Sequence, residues 1–578
     1  MKLLSVPAFS PYPFFRAFHK VLLILLLTTT CTRVFCQWDG NPKTVNNDIL
    51  SISGQPMAVS DDAGGAIVLM SSFGTLVAQR QSASGELRWN NLASPVSIFQ
   101  GTNINLETVQ KDGNGGAYLL FTNAVDASHV DLYLQRLDSN GNRLFGNTGV
   151  KINPATIPVN HQGKLSVGKN GVTVVWSNSL YPETLNDSII NSAKLYIHRF
   201  STSGTPLWAQ LKTVSSAPAG RVSPVVVPDG KEGTYVIFTD FRNLEKVTES
   251  WGDYYTNLDV YMQYFDALGQ QLWGSGDRAL NAQTGEQLTY RDAFSGQTAI
   301  PDSAGGLEMI YLSDERVCAQ KINALGETSW PLNFKIDADS RTKNGILATS
   351  DGFGGLVASW LTVPPTDPFI FTQRVTKQGL LPWGSTPLVV SAPGDGQFGI
   401  PEPAAVVTDR EGNYVFAWSN TGIDTSDVND PAISVTQLKA QKISPAGEKK
   451  WKSGLVIYQG PNTNASVFFP QLVNSTGNRL LATWANRSGD DPDGRVTSAM
   501  IEPAGTLVDE LVRPTETTKD GNWSDPTIWA DGKLPSPGAD IVVKTTVTVT
   551  QHITVKSLKI IPPATVTVSA GGSVTITQ

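Results

Sequence analysis

The residues able to do chemistry in this 578-residue chain are few and spread out. Carboxylates recur in one setting: Asp61-Asp62, Asp112, Asp229, Asp302, Asp351 and Asp409 each sit in a turn between apolar stretches. Several such oxygens converging on one point would bind calcium. Asp112-Gly113-Asn114-Gly115 is the nearest local approach, and the acidic turn running from Asp490 to Gly494 is a second. Asp-Gly and Gly-Gly are also ordinary hairpin chemistry, supplying positive φ at low steric cost, so the turn reading takes precedence and no cofactor is expected. His129, His161, His198 and His552 fall in different segments, which gives a zinc site or a His-based triad no local support. The aromatic set Trp251, Tyr254 and Tyr255 lies in a polar insert, where it could stack on a sugar ring or pack on a protein partner.

Composition narrows the partners. The chain is 40% hydrophobic and 16% charged, with 22 Phe, 14 Trp and 14 Tyr, so it has ample surface to bury and is not a disordered protein. Its net charge of −7 comes without a basic run, which argues against nucleic acid or an anionic membrane as partner. Lys2, Arg16 and Lys20 precede the apolar run Val21 to Leu27, and Val34-Phe35-Cys36 ends in small residues at the right places. Residues 1–36 therefore read as a secretory signal cleaved before Gln37, with lipid attachment at Cys31 or Cys36 as the rival reading. The apolar run is too short to span a bilayer comfortably, and nothing later resembles an integral membrane span. After cleavage Cys318 is the only thiol, so stability must come from core packing rather than disulfides.

The elements that must position these residues repeat. A glycine followed four residues later by an aromatic occurs at Gly85/Trp89, Gly141/Phe145, Gly204/Trp208, Gly269/Trp273, Gly326/Trp330, Gly379/Trp383 and Gly447/Trp451, and Gly505 opens an eighth copy without the ring. From Gly85 to Gly505 is 420 residues in seven intervals, a mean of 60. The strand before each glycine carries its own pair, as in Gln79-Arg80, Gln135-Arg136, His198-Arg199, Gln373-Arg374 and Gln441-Lys442, within period-two alternation. Each copy offers four short strands: one before the Asp/Gly turn, one after it, one with the Gln-Arg pair, and one expected to hold the aromatic, such as 205–209. A four-stranded sheet cannot bury both faces alone, so eight copies predict an all-β, eight-bladed propeller over residues 37–512. The orphan Trp38 and Val45 are expected on the outer strand of the last blade, closing the ring.

A strand, a Gly turn and a Trp four residues on, repeated about eight times, resembles the tryptophan-docking repeats of eight-bladed quinoprotein-type propellers of secreted bacterial proteins. The resemblance implies that Trp38, Trp89, Phe145, Trp208, Trp273, Trp330, Trp383 and Trp451 pack between neighbouring blades. Quinone-dependent members also use calcium ligands and an adjacent cysteine pair. This chain has no such pair, so cofactor binding is not carried over.

Residues 513–520 read as a linker. Residues 521–578 open on Trp523-Ser524-Asp525-Pro526 and continue in Val/Thr-rich alternation, resembling the start of a parallel β-helix-like domain of bacterial surface proteins. Too few rungs fit before Gln578 for a capped solenoid, so a fragment of a longer product is one reading. The expected function is an exported, non-catalytic surface or extracellular protein whose propeller is a binding scaffold for a glycan or protein partner. The inserts 178–191, 241–257 and 420–430 supply the loops. The alternative is a propeller enzyme, either a carbohydrate hydrolase or lyase or a degenerate quinoprotein, acting through the central funnel with two carboxylates about 5–10 Å apart.

Overall fold

The computed structural model describes residues 38–576 except 39–40, 47–53, 73, 90–94, 127–129, 155, 158–162, 180–186, 250–251, 282–295, 314–315, 339–340, 342, 363–368, 392–401, 425–432, 452–453, 461–465, 489–490, 509–514, 531–533, 536–538 and 556. The signal read over 1–36 lies outside the described residues, as do Trp251, Asp490, His129 and His161.

Each of the first seven sequence copies forms one antiparallel four-stranded sheet with strands in chain order, and the eighth completes its sheet with an N-terminal strand. In blade 3, for example, Lys164–Val167, Gly171–Ser177, Leu195–Ser201 and Lys212–Thr213 lie side by side. There are eight such sheets, and the first strands of neighbouring blades touch all the way round, blade 8 against blade 1 included. The protein is an all-β, eight-bladed propeller.

Second strands show why radial stacking is the stable answer. Gly171–Ser177, Thr234–Asp240, Leu307–Ser313 and Leu356–Thr362 are buried at every residue, because each faces a neighbouring blade on both sides. Such a strand reads as a continuous apolar run rather than an alternating one.

The eighth blade is built from both ends of the array. Ser466–Asn474, Leu480–Ser488 and Asp491–Ile501 are its first three strands, and Lys43–Thr44 is the fourth, with Thr44 opposite Thr497. The Val45 amide donates to the Val496 carbonyl at 2.8 Å, and the Val496 amide donates to Asn46 Oδ1 at 2.7 Å. Trp38 and Val45 are buried in the cluster that also holds Val68, Leu481 and Met500.

One local expectation is corrected. The aromatic does not ride on the fourth strand. In blade 3 only Pro206 bridges back to Phe200, the chain then turns through Trp208, and the strand begins at Lys212. In blade 2, Phe145 likewise precedes Val150–Lys151. In blades 1 and 2 a side chain competes with the ladder. Oε1 of Gln79 accepts the Trp89 amide at 3.1 Å, and Oε1 of Gln135 accepts the Phe145 amide at 2.9 Å, so the aromatic's backbone is bound in a turn and its ring swings toward the next blade.

Beyond the propeller, strand pairing changes to parallel. Thr515–Glu516, Asp540–Val543 and Ser557–Ile560 form one sheet, so part of the segment read as a linker is a strand. Gly521–Asn522, Val547–Val549 and Val566–Val568 form a second, and His552–Val555 with Ser573–Ile576 a third. Trp523, Ile528, Trp529, Ile541, Val547 and Ile553 fill the space between them.

Candidate functional site

Topology gives the ring two different ends. The Asp/Gly turns and the Gly-aromatic turns lie at one end, here the turn face; the connections from second to third strand and from blade to blade lie at the other, the hairpin face.

On the turn face the polar groups hold the ring together. In blade 6, Oδ1 of Asp351 accepts the amides of Phe353 (2.7 Å) and Gly355 (2.8 Å), while Oδ2 accepts Nη2 of Arg374 at 3.0 Å. Arg374 Nη1 reaches into blade 7 and donates to the Pro445 carbonyl at 3.1 Å, which also accepts the Trp383 indole at 3.0 Å. Blade 1 repeats the arrangement: Arg80 pairs with Asp61 at 2.9 Å, and the Ser139 carbonyl of blade 2 accepts both Arg80 (2.8 Å) and the Trp89 indole (3.1 Å). The glycine of the receiving turn is required there. Gly141 has φ +84°, and a Cβ on it would sit 2.9 Å from the Trp89 ring.

Asp112 belongs to this set. Its Oδ1 accepts the amides of Asn114 and Gly116 at 2.8 Å each, and its Oδ2 accepts Arg136 Nη2 at 2.8 Å. Turn and ion pair thus occupy the carboxylate considered for calcium. Among the described residues no three His, Cys, Asp or Glu side chains come together as a metal site.

The structure places the other aromatic positions similarly. The indoles of Trp208, Trp330 and Trp451 donate to the carbonyls of Ala267, Lys377 and Pro503 in the following blade, at 3.0, 3.0 and 3.1 Å. Trp38 donates to the Ala83 carbonyl of blade 1 at 2.9 Å. Phe145 lies against Gly204, and Trp273 against Gly326.

His198 occupies the Gln position in blade 3 and meets Phe200 and Trp208 with its ring. Its Nδ1 has no hydrogen-bond partner among the described residues. Burial pushes its imidazole below the ordinary range. A depressed folded value means that the native state binds fewer protons than the unfolded one. The stability this represents is present above the unfolded pKa of about 6.5 and is lost as pH falls through the folded value. His198→Gln should therefore match or exceed the parent's melting temperature at pH 8, with the gap widening toward pH 5. Melting curves at both pH values check this, and parallel pH profiles would refute it.

The hairpin face is where the blades differ. In blade 7, Tyr414–Asp424 and Ile433–Ile443 are 11 residues each and pair out to Asp424 opposite Ile433, beyond the six- to eight-residue central strands of blades 1 to 6. Blade 8 pairs Leu480–Ser488 with Asp491–Ile501. Blade 4 carries a separate ribbon, Glu245–Glu249 against Gly252–Thr256. In blade 3 the same connection includes a short helix, Asp187–Ser192.

The blade 4 ribbon stands on a buried charge cluster. Arg242 bonds Asp240 (2.7 Å) and Asp277 (2.7 Å) and lies 3.8 Å from the Tyr261 ring centroid. Arg221 approaches Asp240 at 3.2 Å, and Asn243 donates to Asp259 at 2.5 Å. Burial opposes the Arg242 charge, but hydrogen bonds and charge from Asp240 and Asp277 outweigh it and hold the guanidinium above its ordinary range. Burial also raises the Asp259 carboxyl, against the Asn243 bond and with the help of the Asp240 charge. The cluster fixes both roots of the ribbon. Of the aromatic set in it, Tyr254 pairs through its backbone with Val247, and Tyr255 packs, partly buried, against the core of blades 4 to 6.

Sequence reading missed two features. Trp176, Trp360, Trp418 and Trp484 are fully buried on second strands, hidden within apolar runs that carry no period. The pairing of the Asp turns with the Arg or Lys of the third strand, replaced by the Tyr264 hydroxyl at Asp229, was also missed, although both recur in most copies and that co-occurrence was the available signal.

No family model and no curated protein matches the chain. Among solved structures, polysaccharide lyase Uly1 aligns over 78% of this chain and 99% of its own, at 10% identity and a TM-score of 0.37. Prolyl oligopeptidase B from Galerina marginata aligns over 82% of this chain at 10% identity and a TM-score of 0.37; the match spans 58% of the oligopeptidase. A protein of unknown function from Dyadobacter fermentans aligns over 58% of this chain and 93% of its own, at 10% identity and a TM-score of 0.29. At these scores the similarities decide no chemistry, and the blade topology rests on the strand pairing described above. Among the described residues no helix is long and apolar enough to cross a membrane.

Proposed function

We propose that this chain is an exported, non-catalytic binding protein of the cell surface or extracellular space. Its propeller is of the tryptophan-docking, quinoprotein-like type without the cofactor, and its hairpin face recognises a glycan or protein partner. The observation that carries the reading is the concentration of non-repeating structure at one end of a repeating ring. Three second-to-third connections are extended there, one of them bearing aromatics on a charge-anchored ribbon. Variable loops on a rigid frame are where recognition resides. On the opposite end the recurring Asp and Arg groups bond each other, and the indoles donate to backbone carbonyls of the following blade. The charged leader followed by Val21 to Leu27 supports export. Parallel pairing of short Val/Thr strands in three sheets supports reading the C-terminal segment as the first turns of a β-helix, which extends the scaffold.

A glycan array and a panel of purified extracellular matrix and envelope proteins, probed with residues 37–578, test the proposal. One variant replaces residues 422–435 with Asn-Gly, and another changes Trp251, Tyr254 and Tyr255 to Ala. A partner should bind the parent and lose at least about tenfold in affinity in one variant, as expected when a central anchor is removed. Absence of any partner, or full binding by both variants, overturns it.

A further inference from the structure

The turn face holds a cavity that the proposed hairpin-face function does not use. Where the inner strands of blades 8, 1 and 2 end beside the Asp turn of blade 7, they line an open depression of about 470 Å³ at the mouth of the axial channel. That size lies within the ordinary range of small-ligand pockets.

Its lining has one polarity of charge in excess and a mixed floor. Lys111 donates one bond to Asp62 at 2.9 Å, which leaves two ammonium protons for another acceptor. Arg410 lines the opposite side, is exposed, and forms no ion pair among the described residues. Its chain neighbours do not neutralise it. Asp409 is held by the Glu411 and Asn413 amides and by Lys442 at 2.8 Å, and Glu411 lies 3.6 Å from the same Lys442 ammonium and accepts Asn478 Nδ2 at 2.9 Å, so neither forms an ion pair with Arg410. Among the residues that line the cavity, two cations face one carboxylate, an excess of one positive charge. Asn474 donates Nδ2 to the Thr408 carbonyl at 2.8 Å and keeps Oδ1 as an acceptor. Val59 and Leu472 supply apolar wall.

We propose that this cavity binds a single sugar unit bearing one carboxylate, a uronic acid. The carboxylate lies between Arg410 and Lys111, a hydroxyl donates to Asn474 Oδ1, and a C–H face of the ring rests on Val59 and Leu472. Arg410 supplies the geometric part of the recognition, because a guanidinium fork matches a carboxylate bidentately whereas an ammonium does not. A neutral sugar leaves the excess positive charge unanswered, and a bare carboxylate leaves Asn474 and the apolar wall unfilled.

Isothermal titration of residues 37–578 with glucuronate, glucose and acetate tests this at low and moderate salt. Saturable binding is expected for glucuronate alone, weakening as salt rises. Arg410→Gln should lower its affinity at least about tenfold, the effect of losing a charge-assisted pair, with an unchanged melting temperature because the exposed side chain forms no ion pair among the described residues. Lys111→Gln should weaken it less. The variant shortened at 422–435 should bind glucuronate like the parent, which separates this site from the hairpin-face proposal. Equal affinity for glucose, no saturable glucuronate binding by the parent, or undiminished binding by Arg410→Gln would overturn the assignment.

Discussion

Deleting residues 38–46 from the chain 37–578 is expected to unfold the protein or turn it into an oligomer. The segment buries Trp38 at 1% exposure and Val45 at 0%, and it supplies the fourth strand of blade 8. Removing a core Trp costs about 3–5 kcal/mol, and a buried Val contributes about 1.5–3 kcal/mol more. That sum is comparable with the whole net stability of a typical protein, about 5–15 kcal/mol. The position aggravates the loss, because deletion leaves Asp491–Ile501 as an open edge able to pair with another chain. Urea unfolding followed by tryptophan fluorescence, with size-exclusion chromatography, is the measurement. Trp38→Ala alone should lose about 3–5 kcal/mol. A deletion variant that stays monomeric with an unchanged urea midpoint would show that the N-terminal strand is decorative.

The second large effect is expected at Arg374. Arg374→Met leaves the Asp351 carboxylate, 0% exposed, without its cation and also removes a bond to the Pro445 carbonyl across the blade 6/7 junction. Breaking a buried ion pair from one side costs about 3–5 kcal/mol, since the remaining charge stays desolvated. Asp351→Asn should cost less, because the amide oxygen can still accept the Phe353 and Gly355 amides. The double variant should recover part of the Arg374→Met loss, as the uncompensated charge is gone. Denaturant midpoints for the four proteins give the coupling directly; strictly additive losses would mean that the two side chains do not act as a pair.

Much of this ring could be read before any coordinates, for a physical reason. A large indole laid on the next blade's turn leaves room for little but hydrogen at the contact, so each copy keeps a Gly for the preceding blade's ring and carries, four residues on, a ring of its own. The closure was legible because the eighth glycine had no following aromatic while Trp38 had no preceding glycine. Other features depended on register, which spacing does not reveal. Asp112 and Arg136 are 24 residues apart and meet only because Ala117–Ala124 and Val130–Leu137 fold back beside the turn. Blade 3 has no Asp in its turn, and its Arg199 bonds Glu232 of blade 4 instead, a substitution between copies that a within-copy reading misses. The fourth strand was placed too early because alternation continues through the turn, and the competing Gln side chain that ends it is ten residues upstream. The axial cavity drew no attention because its residues come from four copies, Asp62, Lys111, Arg410 and Asn474, each unremarkable in its own.

The central claim is a ring of sheets held shut by its own first strand, and a cysteine pair at Thr44 and Thr497 tests it most directly. These residues face each other across the closing ladder, adjacent to the bond from the Val45 amide to the Val496 carbonyl. They form a non-hydrogen-bonded pair, in which Cα atoms lie about 4.5 Å apart, within disulfide reach. In the Thr44→Cys/Thr497→Cys variant, mild oxidation should join residues separated by 453 positions. The oxidised variant of residues 37–578 should then show no free thiol other than that of buried Cys318 on unfolding. If both new thiols stay reactive in the folded protein after oxidation, the ring is not closed at this seam.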